Sequence, residues 1–234
     1  MAAAGTAYSV TSLGEAAAAA AAQGFGLTTT PDPDDGIRGR VYVRRDLGIA
    51  SFGVNAFYQA TSGAVVVAEH DELGPGSNRH EELYVVVDGG CTFVVDGEEV
   101  DAPRGTAVFV GDPAARRSAR ATQDGTLVLV VGGRPGEAFA ISPGEAMGPF
   151  FQRYRSGDYE GALESCRAAL ETHPGNPLVL YNIACLESLL DRPEEALPLL
   201  EDAIAGWPPF KEHAAADDDL ASLRGDERFQ ALVA

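Results

Sequence analysis

The sequence predicts two domains, an all-β jelly-roll-like barrel followed by an all-α helical-repeat domain. From residue 40 to 132 the apolar residues form short runs separated by Gly, Asp or Pro, which is typical of strands. After a Gly- and Pro-rich hinge at 132–146, alanine, leucine and glutamate recur at helical spacing. A chain of 234 residues is long enough for two cores. We expect a leader at 1–37, a β domain at 38–140 and a helical domain at 141–234.

The leader is predicted to contain one short helix and a linker. Ser12 precedes Glu15 by three residues, which is a capping box, and a run of alanines follows. Gly24 or Gly26 is expected to end the helix. The prolines and acidic residues at 28–36 indicate an irregular linker. Because an alanine face buries little area, we expect this helix to persist only if it docks on the barrel or on a second subunit.

The β domain is predicted from seven runs of strand character. Each run ends at Gly, Asp or Pro, and the Asp-Gly pairs indicate successive hairpins. A barrel and an immunoglobulin-like sandwich are the two architectures that this pattern allows. The runs are RVYVRR, SFGVNAFYQA, AVVVAEH, ELYVVV, CTFVVD, TAVFVG and TLVLVVG.

The segment HEELYVVVDGG resembles the first motif of the cupin family. In that motif a metal-ligating Glu follows a His-x-His pair and precedes a turn glycine by seven residues, the spacing that Glu82 and Gly89 keep. At the positions of the His pair this chain has Gly76 and Asn78. The second cupin motif is similar to GDPAARRSAR, and its His position falls on Arg116. The resemblance implies a cupin barrel without the family's usual metal ligands.

The cupin resemblance also implies where a ligand binds. With Glu82 facing the barrel interior, strand alternation turns Tyr84 and Val86 inward and the intervening residues outward. We expect Arg116 to replace the metal and pair with Glu82, with Arg117 as its substitute if the turn differs by one residue. The pair would leave donors for a small ligand that bears a carboxylate. The pocket candidates are Glu82, Tyr84, Asn78, Arg116, His80 and Phe93.

A metal site is the alternative interpretation of the same region. Its ligands would be His70, His80 and Glu82, or a shifted register in which the HDE segment at 70–72 supplies the first ligands. We expect no cofactor, and a divalent transition metal is the alternative.

The second half of the chain contains a repeat with a period of 34 residues. Three positions, Ala162, Ala169 and Pro174, recur at Ala196, Ala203 and Pro208. This stretch resembles the tetratricopeptide repeat, in which small residues let paired helices approach closely and a proline ends the repeat. The resemblance implies a groove for a protein or peptide, with Asn182 and Tyr181 as candidate contacts.

Charge and composition restrict the partners. With 35 acidic and 17 basic residues the net charge is −18, which argues against nucleic acid and anionic membranes. No apolar run approaches the ~20 residues of a membrane helix. Three cysteines, an odd number without metal-type spacing, predict reduced thiols in a cytoplasmic protein.

Three function classes fit the sequence. The first, which we favour, is a non-catalytic cupin that binds a small molecule and is coupled to a protein-interaction repeat domain. The second is a metal-dependent cupin enzyme, an oxygenase or isomerase, with an atypical ligand set. The third is a structural protein whose barrel forms a homodimer. Fold alone does not choose between them, because one barrel supports many activities.

Overall fold

The structure, a computed structural model, describes residues 9–22 and 38–234. This part of the chain divides into two compact units. The first unit comprises the described residues up to Leu73 together with Arg79–Ala140, and the second comprises Gly74–Asn78 together with Ile141–Ala234. The first is built mainly from strands and the second from helices, so the predicted fold class is confirmed.

The first unit has the strand order of a jelly roll. Its five-stranded antiparallel sheet has the order β1-β2-β9-β4-β7, and its four-stranded sheet has the order β3-β8-β5-β6. Its described helices are α1 (Leu13–Ala22) and α2 (Val43–Leu47). The strands are β1 (Arg38–Val41), β2 (Gly53–Gln59), β3 (Val65–His70), β4 (Glu81–Asp88), β5 (Gly90–Val95), β6 (Glu98–Pro103), β7 (Ala107–Val110), β8 (Arg117–Ala121) and β9 (Thr126–Gly133).

The structure corrects the predicted strands in three places. The run RVYVRR is a strand only as far as Val41, and its second half enters α2. Strands β6, with the sequence EEVDAP, and β8, with the sequence RSARA, were not predicted. Both lack the β-branched runs on which the prediction relied, and tertiary pairing with β5 makes them strands.

The barrel core lies between the two sheets and confirms the alternation predicted for β4. Tyr84 and Val86 belong to the interior cluster, together with Phe93 of β5 and Val128 of β9. Leu83, one residue from Glu82, is exposed on the outer face. Because side chains alternate along a strand, Glu82 faces the same interior as Tyr84.

Helices α1 and α2 cover part of the outer face of the five-stranded sheet. Ala17 is buried in a cluster with Val41, Val43 and Val54, so the alanine helix docks on the sheet as expected. The Ser12 hydroxyl accepts a hydrogen bond from the Glu15 amide (3.4 Å), which is one half of the predicted capping box. The predicted stops at Gly24 and Gly26 and the linker at 28–36 lie outside the described residues.

One of the predicted Asp-Gly hairpins is present, and another is a corner. Asp96 and Gly97 both have positive φ (48° and 87°), and they join β5 to β6 as a two-residue turn. Asp88 and Gly89 instead carry the chain from the five-stranded sheet to the four-stranded one. Gly89 has a φ of 69°, and a Cβ there would lie 2.5 Å from Thr126 Oγ1, so this corner requires glycine.

The second unit consists of paired helices whose small residues are buried. The alanines of the 34-residue repeat are all in the helix cores. Within residues 9–22 and 38–234, no helix is both long and apolar enough to cross a membrane. The helices are α3 (Pro143–Ala146), α4 (Phe150–Arg155), α5 (Tyr159–Thr172), α6 (Pro177–Leu189), α7 (Pro193–Gly206), α8 (Phe210–Ala216), a 3-10 helix (Asp218–Leu223) and α9 (Glu227–Val233).

Candidate ligand-binding site

The candidate site lies at one end of the barrel, where three strands bring charged side chains together. His70 ends β3 and Arg117 begins β8, and the two residues are Cα partners in the four-stranded sheet. Glu82 comes from the opposite sheet, near the start of β4. The cluster therefore joins the two sheets across the barrel interior.

One carboxylate oxygen is the centre of this cluster. The Tyr84 hydroxyl donates a hydrogen bond to Glu82 Oε2 (2.5 Å). Arg117 Nε lies 3.4 Å from the same oxygen, and His70 Nε2 lies 3.6 Å from it. The Glu82 side chain is 13% exposed, so these groups replace most of its hydration.

The orientation of His70 favours a proton on both ring nitrogens. Nδ1 lies 2.8 Å from the carbonyl oxygen of Ala68, which can only accept, so Nδ1 carries a proton. Nε2 faces the carboxylates of Glu82 and Glu72, at 3.6 and 4.0 Å. A second proton on Nε2 would face the ionised Glu82 carboxylate and is therefore stabilised.

The pKa directions agree with this geometry. Burial lowers the pKa of His70, but hydrogen bonds to Glu82 and Ala68 and the charge of Glu82 raise it to a net value above 6.5. Burial raises the pKa of Glu82, but hydrogen bonds from His70 and Tyr84 and the charges of His70 and Arg117 lower it overall. Burial, followed by the charge of Glu82, raises the pKa of Tyr84 well above 10. At neutral pH Glu82 is ionised and Tyr84 is a neutral donor.

Arg117 is the most buried charge in the cluster. Its side chain is 0% exposed, and Nη1 donates to the carbonyl of Ala115 (2.8 Å). Among the described residues, neither Nε nor Nη2 has a hydrogen-bond partner. Nε has only the ionic contact with Glu82 at 3.4 Å, and Nη2 has no polar partner in the described part of the chain. Such a buried guanidinium is uncommon, because a donor without a hydrogen bond loses its hydration with little compensation.

The same end of the barrel also presents metal-ligand atoms. His70, Glu72 and Glu82 each offer one, and these three atoms lie within 4.8 Å of one another. Imidazole with two carboxylates is a ligand set used for divalent transition metals. The predicted shifted register, with ligands from 70–72, therefore brings two donors to Glu82, whereas His80 is not part of this group.

The predicted convergence of Arg116 on Glu82 is wrong. The Arg116 side chain is 58% exposed and donates to Glu69 through Nε (2.9 Å) and Nη2. Arg117 takes the interior position, because β8 begins one residue later than the alignment assumed and alternate residues face opposite sides.

Of the other predicted pocket residues, Tyr84 contacts Glu82, as described above. Phe93 is fully buried in the barrel core, 5.3 Å from the Tyr84 ring between centroids, so it is a packing residue. Asn78 belongs to the segment Gly74–Asn78, which groups with the helical unit.

The two predicted groove residues of the helical unit also have internal contacts. Tyr181 is 4% exposed, stacks on Phe210 (4.5 Å between centroids) and donates to Asp217 (2.9 Å). The prediction that Tyr181 lies in an open groove is therefore wrong, because its ring is part of the helix core. The Asn182 amide donates to the Leu178 carbonyl one turn earlier (2.8 Å).

The cysteines are not part of the site. Cys91, Cys166 and Cys185 are buried free thiols. Burial raises the pKa of Cys91 and of Cys166 to about 12, so neither is a thiolate at neutral pH.

A second feature of this barrel end was not predicted from the sequence. Gly53 of β2 and Gly132 of β9 are Cα partners, and Gly132 also pairs with Glu82. A Cβ on Gly53 would lie 2.8 Å from a ring carbon of Phe139, and a Cβ on Gly132 would lie 3.3 Å from Cγ of Glu82. The Phe139 ring thus lies against bare backbone beside the charged cluster. His80 lies next to this ring, at 5.8 Å between centroids.

The strand order and the helical repeats together define the class of protein. The tetratricopeptide repeat family model matches residues 153–216. The chain therefore joins a β domain with jelly-roll strand order to a helical domain that matches the tetratricopeptide repeat model.

Solved structures of cupins are similar to the β domain. A cupin protein from Bacteroides fragilis is 16% identical over 50% of this chain and 93% of its own, with a TM-score of 0.34. An RmlC-like cupin protein from Desulfovibrio desulfuricans is 22% identical over 46% of this chain and 91% of its own, with a TM-score of 0.33.

A sugar phosphate isomerase of the cupin superfamily from Silicibacter pomeroyi is 21% identical over 42% of this chain, with a TM-score of 0.34. This chain spans 59% of the length of that isomerase. No curated protein matches the chain.

Proposed function

We propose that the β domain binds a small carboxylate-bearing molecule without a catalytic step, and that the repeat domain binds a protein partner. The observation that carries the proposal is the buried guanidinium of Arg117, which has donors at Nε and Nη2 without a hydrogen-bond partner among the described residues. An incoming carboxylate can accept from a guanidinium at two oxygens and would satisfy those donors. The ligand thus supplies what the protein leaves incomplete.

The charges around Arg117 support an anion rather than a metal cation. Glu82 Oε2 already accepts from Tyr84 and faces Arg117, so a metal ion would have to compete with both groups. The proton favoured on His70 Nε2 occupies the position that a metal would need. Glu82 is ionised and faces Arg117, and the raised pKa of His70 favours the charged imidazolium beside Glu82.

The described tyrosine and cysteine side chains support binding of a carboxylate over covalent catalysis. The Tyr84 hydroxyl stays protonated at neutral pH because its pKa is raised, and it already donates to Glu82. The three cysteines lie in the hydrophobic cores of the two units. We therefore infer a binding module, whose ligand state is communicated through the protein that the repeats bind.

A metal-dependent enzyme is the second candidate. The approach of His70, Glu72 and Glu82 within 4.8 Å favours it. In that case the three side chains would hold the ion, and the ion would supply Lewis-acid chemistry. His70 would have to be neutral at Nε2, and Arg117 would have to tolerate a second cation beside Glu82.

Titration of acetate into the full chain, followed by NMR, tests the proposal. We expect saturable binding by the original chain and by Arg120→Met, a variant of an exposed arginine on the same strand. Arg117→Met should weaken acetate binding at least about tenfold, since a buried charge-assisted contact contributes about 1.5–3 kcal/mol. Equal binding by both variants, or no binding by the original chain, would exclude Arg117 as the anion contact.

A further inference from the structure

The glycine pair beside Glu82 creates a slot on the inner face of the five-stranded sheet. Gly53 has the same strand parity as Phe57, which packs against the barrel core, and its Cα partner is Gly132. Glycine inside a strand is unfavourable and often marks a place where another group must approach the backbone closely. Two facing glycines remove side chains over two adjacent strands.

The ring of Phe139, a residue that follows β9 and is not part of the sheet, fills this slot. A Cβ on Gly53 would lie 2.8 Å from Cε2 and 3.3 Å from Cζ of the Phe139 ring. The ring also lies 5.8 Å from the His80 ring, between centroids, and 5.7 Å from the guanidinium carbon of Arg44. Backbone, imidazole and guanidinium together form a site suited to a flat aromatic ring.

The Glu82 side chain links the slot to the proposed anion site. A Cβ on Gly132 would lie 3.3 Å from Glu82 Cγ, and Oε2 of Glu82 lies 3.4 Å from Arg117 Nε. A molecule with its carboxylate at Arg117 and a ring a few bonds away would therefore pass Glu82 beside Gly132 and place its ring over Gly53, where Phe139 now lies.

The segment that carries Phe139 is suited to move. Residues 134–140 form neither helix nor strand, and they contain a turn in which the Glu137 amide donates to the Arg134 carbonyl (3.3 Å). Gly136 within this turn has a φ of 73°. Irregular segments of this kind open at lower free energy than strands in a sheet. The Phe139 ring itself is only half-buried.

We propose that the slot over Gly53, beside Gly132, is an aromatic subsite, that Phe139 occupies it in the absence of ligand, and that an aryl-substituted carboxylate displaces Phe139. The inference rests on the proposed carboxylate site at Arg117 and adds the chemical class of its ligand. Phe139 is then a competitor built into the chain, and ligand binding releases the 134–140 segment.

The test compares aryl and alkyl acids on three forms of the full chain. Phenylacetate and 3-phenylpropionate are titrated against acetate and propionate by NMR with the original chain, Phe139→Ala and Phe109→Ala. Phe109 is the matched control, because its ring is 61% exposed on the outer face of β7. Phe139→Leu serves if Phe139→Ala does not fold, since leucine keeps apolar volume without a ring.

We expect Phe139→Ala to bind the aryl acids roughly tenfold more tightly, as a subsite occupied about nine-tenths of the time reduces apparent affinity by that factor. Its affinity for acetate and propionate should be unchanged, and Phe109→Ala should behave like the original chain. Aryl-acid binding that is unchanged or weaker in Phe139→Ala would mean that Phe139 is a permanent packing residue.

Adding Arg117→Met separates this inference from the proposed function. If Phe139→Ala binds the aryl acids more tightly and the double variant loses all four acids, both the anion site and the aromatic subsite stand. Aryl acids that bind Phe139→Ala equally well with and without Arg117 would overturn the anion site and leave an apolar aryl site. If no acid binds any form, both ideas fail.

Discussion

The Glu82–Arg117 pair predicts an asymmetric response to mutation. Glu82→Gln removes the negative charge and leaves the guanidinium of Arg117 at 0% exposure without its carboxylate. Breaking a buried pair from one side costs about 3–5 kcal/mol, because the remaining charge is uncompensated. Glu82 is 13% exposed, which allows some water to reach the site, so we expect a loss near about 3 kcal/mol.

Arg117→Met should cost much less. The variant loses the hydrogen bond from Nη1 to the Ala115 carbonyl, a contact of about 1.5–3 kcal/mol. It also removes Nη2, which has no partner among the described residues and costs about 1–3 kcal/mol when buried, together with the 3.4 Å ionic contact from Nε to Glu82. Glu82 keeps its hydrogen bond from Tyr84 and the charge of His70. The opposing terms leave a net change within about 1 kcal/mol.

Urea unfolding of the four forms of a double-mutant cycle measures this asymmetry. Far-UV circular dichroism follows both units, and the fluorescence of Trp207, the one tryptophan in the chain, follows the helical unit separately. The double variant should be about 2 kcal/mol more stable than Glu82→Gln alone, and Arg120→Met is the control for charge removal. A Glu82→Gln variant no less stable than Arg117→Met, or a coupling energy of zero, would refute the buried-pair account.

Three further predictions concern pH, metal and domain limits. Because the pKa of His70 is raised on folding, His70 stabilises the fold fully below its unfolded pKa of about 6.5, and this stabilisation is lost as pH rises through the folded pKa. Because the pKa of Glu82 is lowered on folding, Glu82 stabilises the fold above about 4.5, and this stabilisation is lost as pH falls through the folded pKa. The difference in Tm between the original chain and His70→Gln should therefore be largest between these values, and a difference independent of pH would contradict the assigned charges. Elemental analysis of protein purified without chelator should find no transition metal near one equivalent, whereas one equivalent of iron, manganese, nickel or zinc would favour the enzyme. Brief digestion with a glutamate-specific protease should cut first after the exposed Glu137, and a first cut within β2–β9 would contradict the domain limits of 38–140 and 141–234.

The parts of the fold that follow a regular period could be predicted from the sequence. The 34-residue spacing identified the helical repeats, because each repeat must place its small residues at the same helix contacts. The alternation along β4 correctly placed Tyr84 and Val86 in the interior with Glu82. These predictions depend on local geometry, which the sequence expresses directly.

The details of the site depend on register and on non-local contacts. Arg117 and Arg116 are neighbours in a segment without β-branched residues, so no sequence pattern indicates which of the two faces inward. A shift of one residue exchanges the two faces of a strand. Phe139 follows β9 in an irregular segment, and its contact with Gly53 joins residues 86 positions apart. No periodic pattern reports a contact of that kind.

The most direct measurement of the central claim is the side-chain NMR spectrum of Arg117. Its Nε–H signal can be assigned because it disappears in Arg117→Met. This signal reports directly on the donor that we propose binds the ligand. Acetate should shift this signal saturably while other arginine signals stay in place, and one equivalent of Zn²⁺ or Mn²⁺ should leave it unchanged. A signal that does not respond to acetate, together with a metal-dependent change in the His70 ring, would contradict the anion site and establish a metal site in its place.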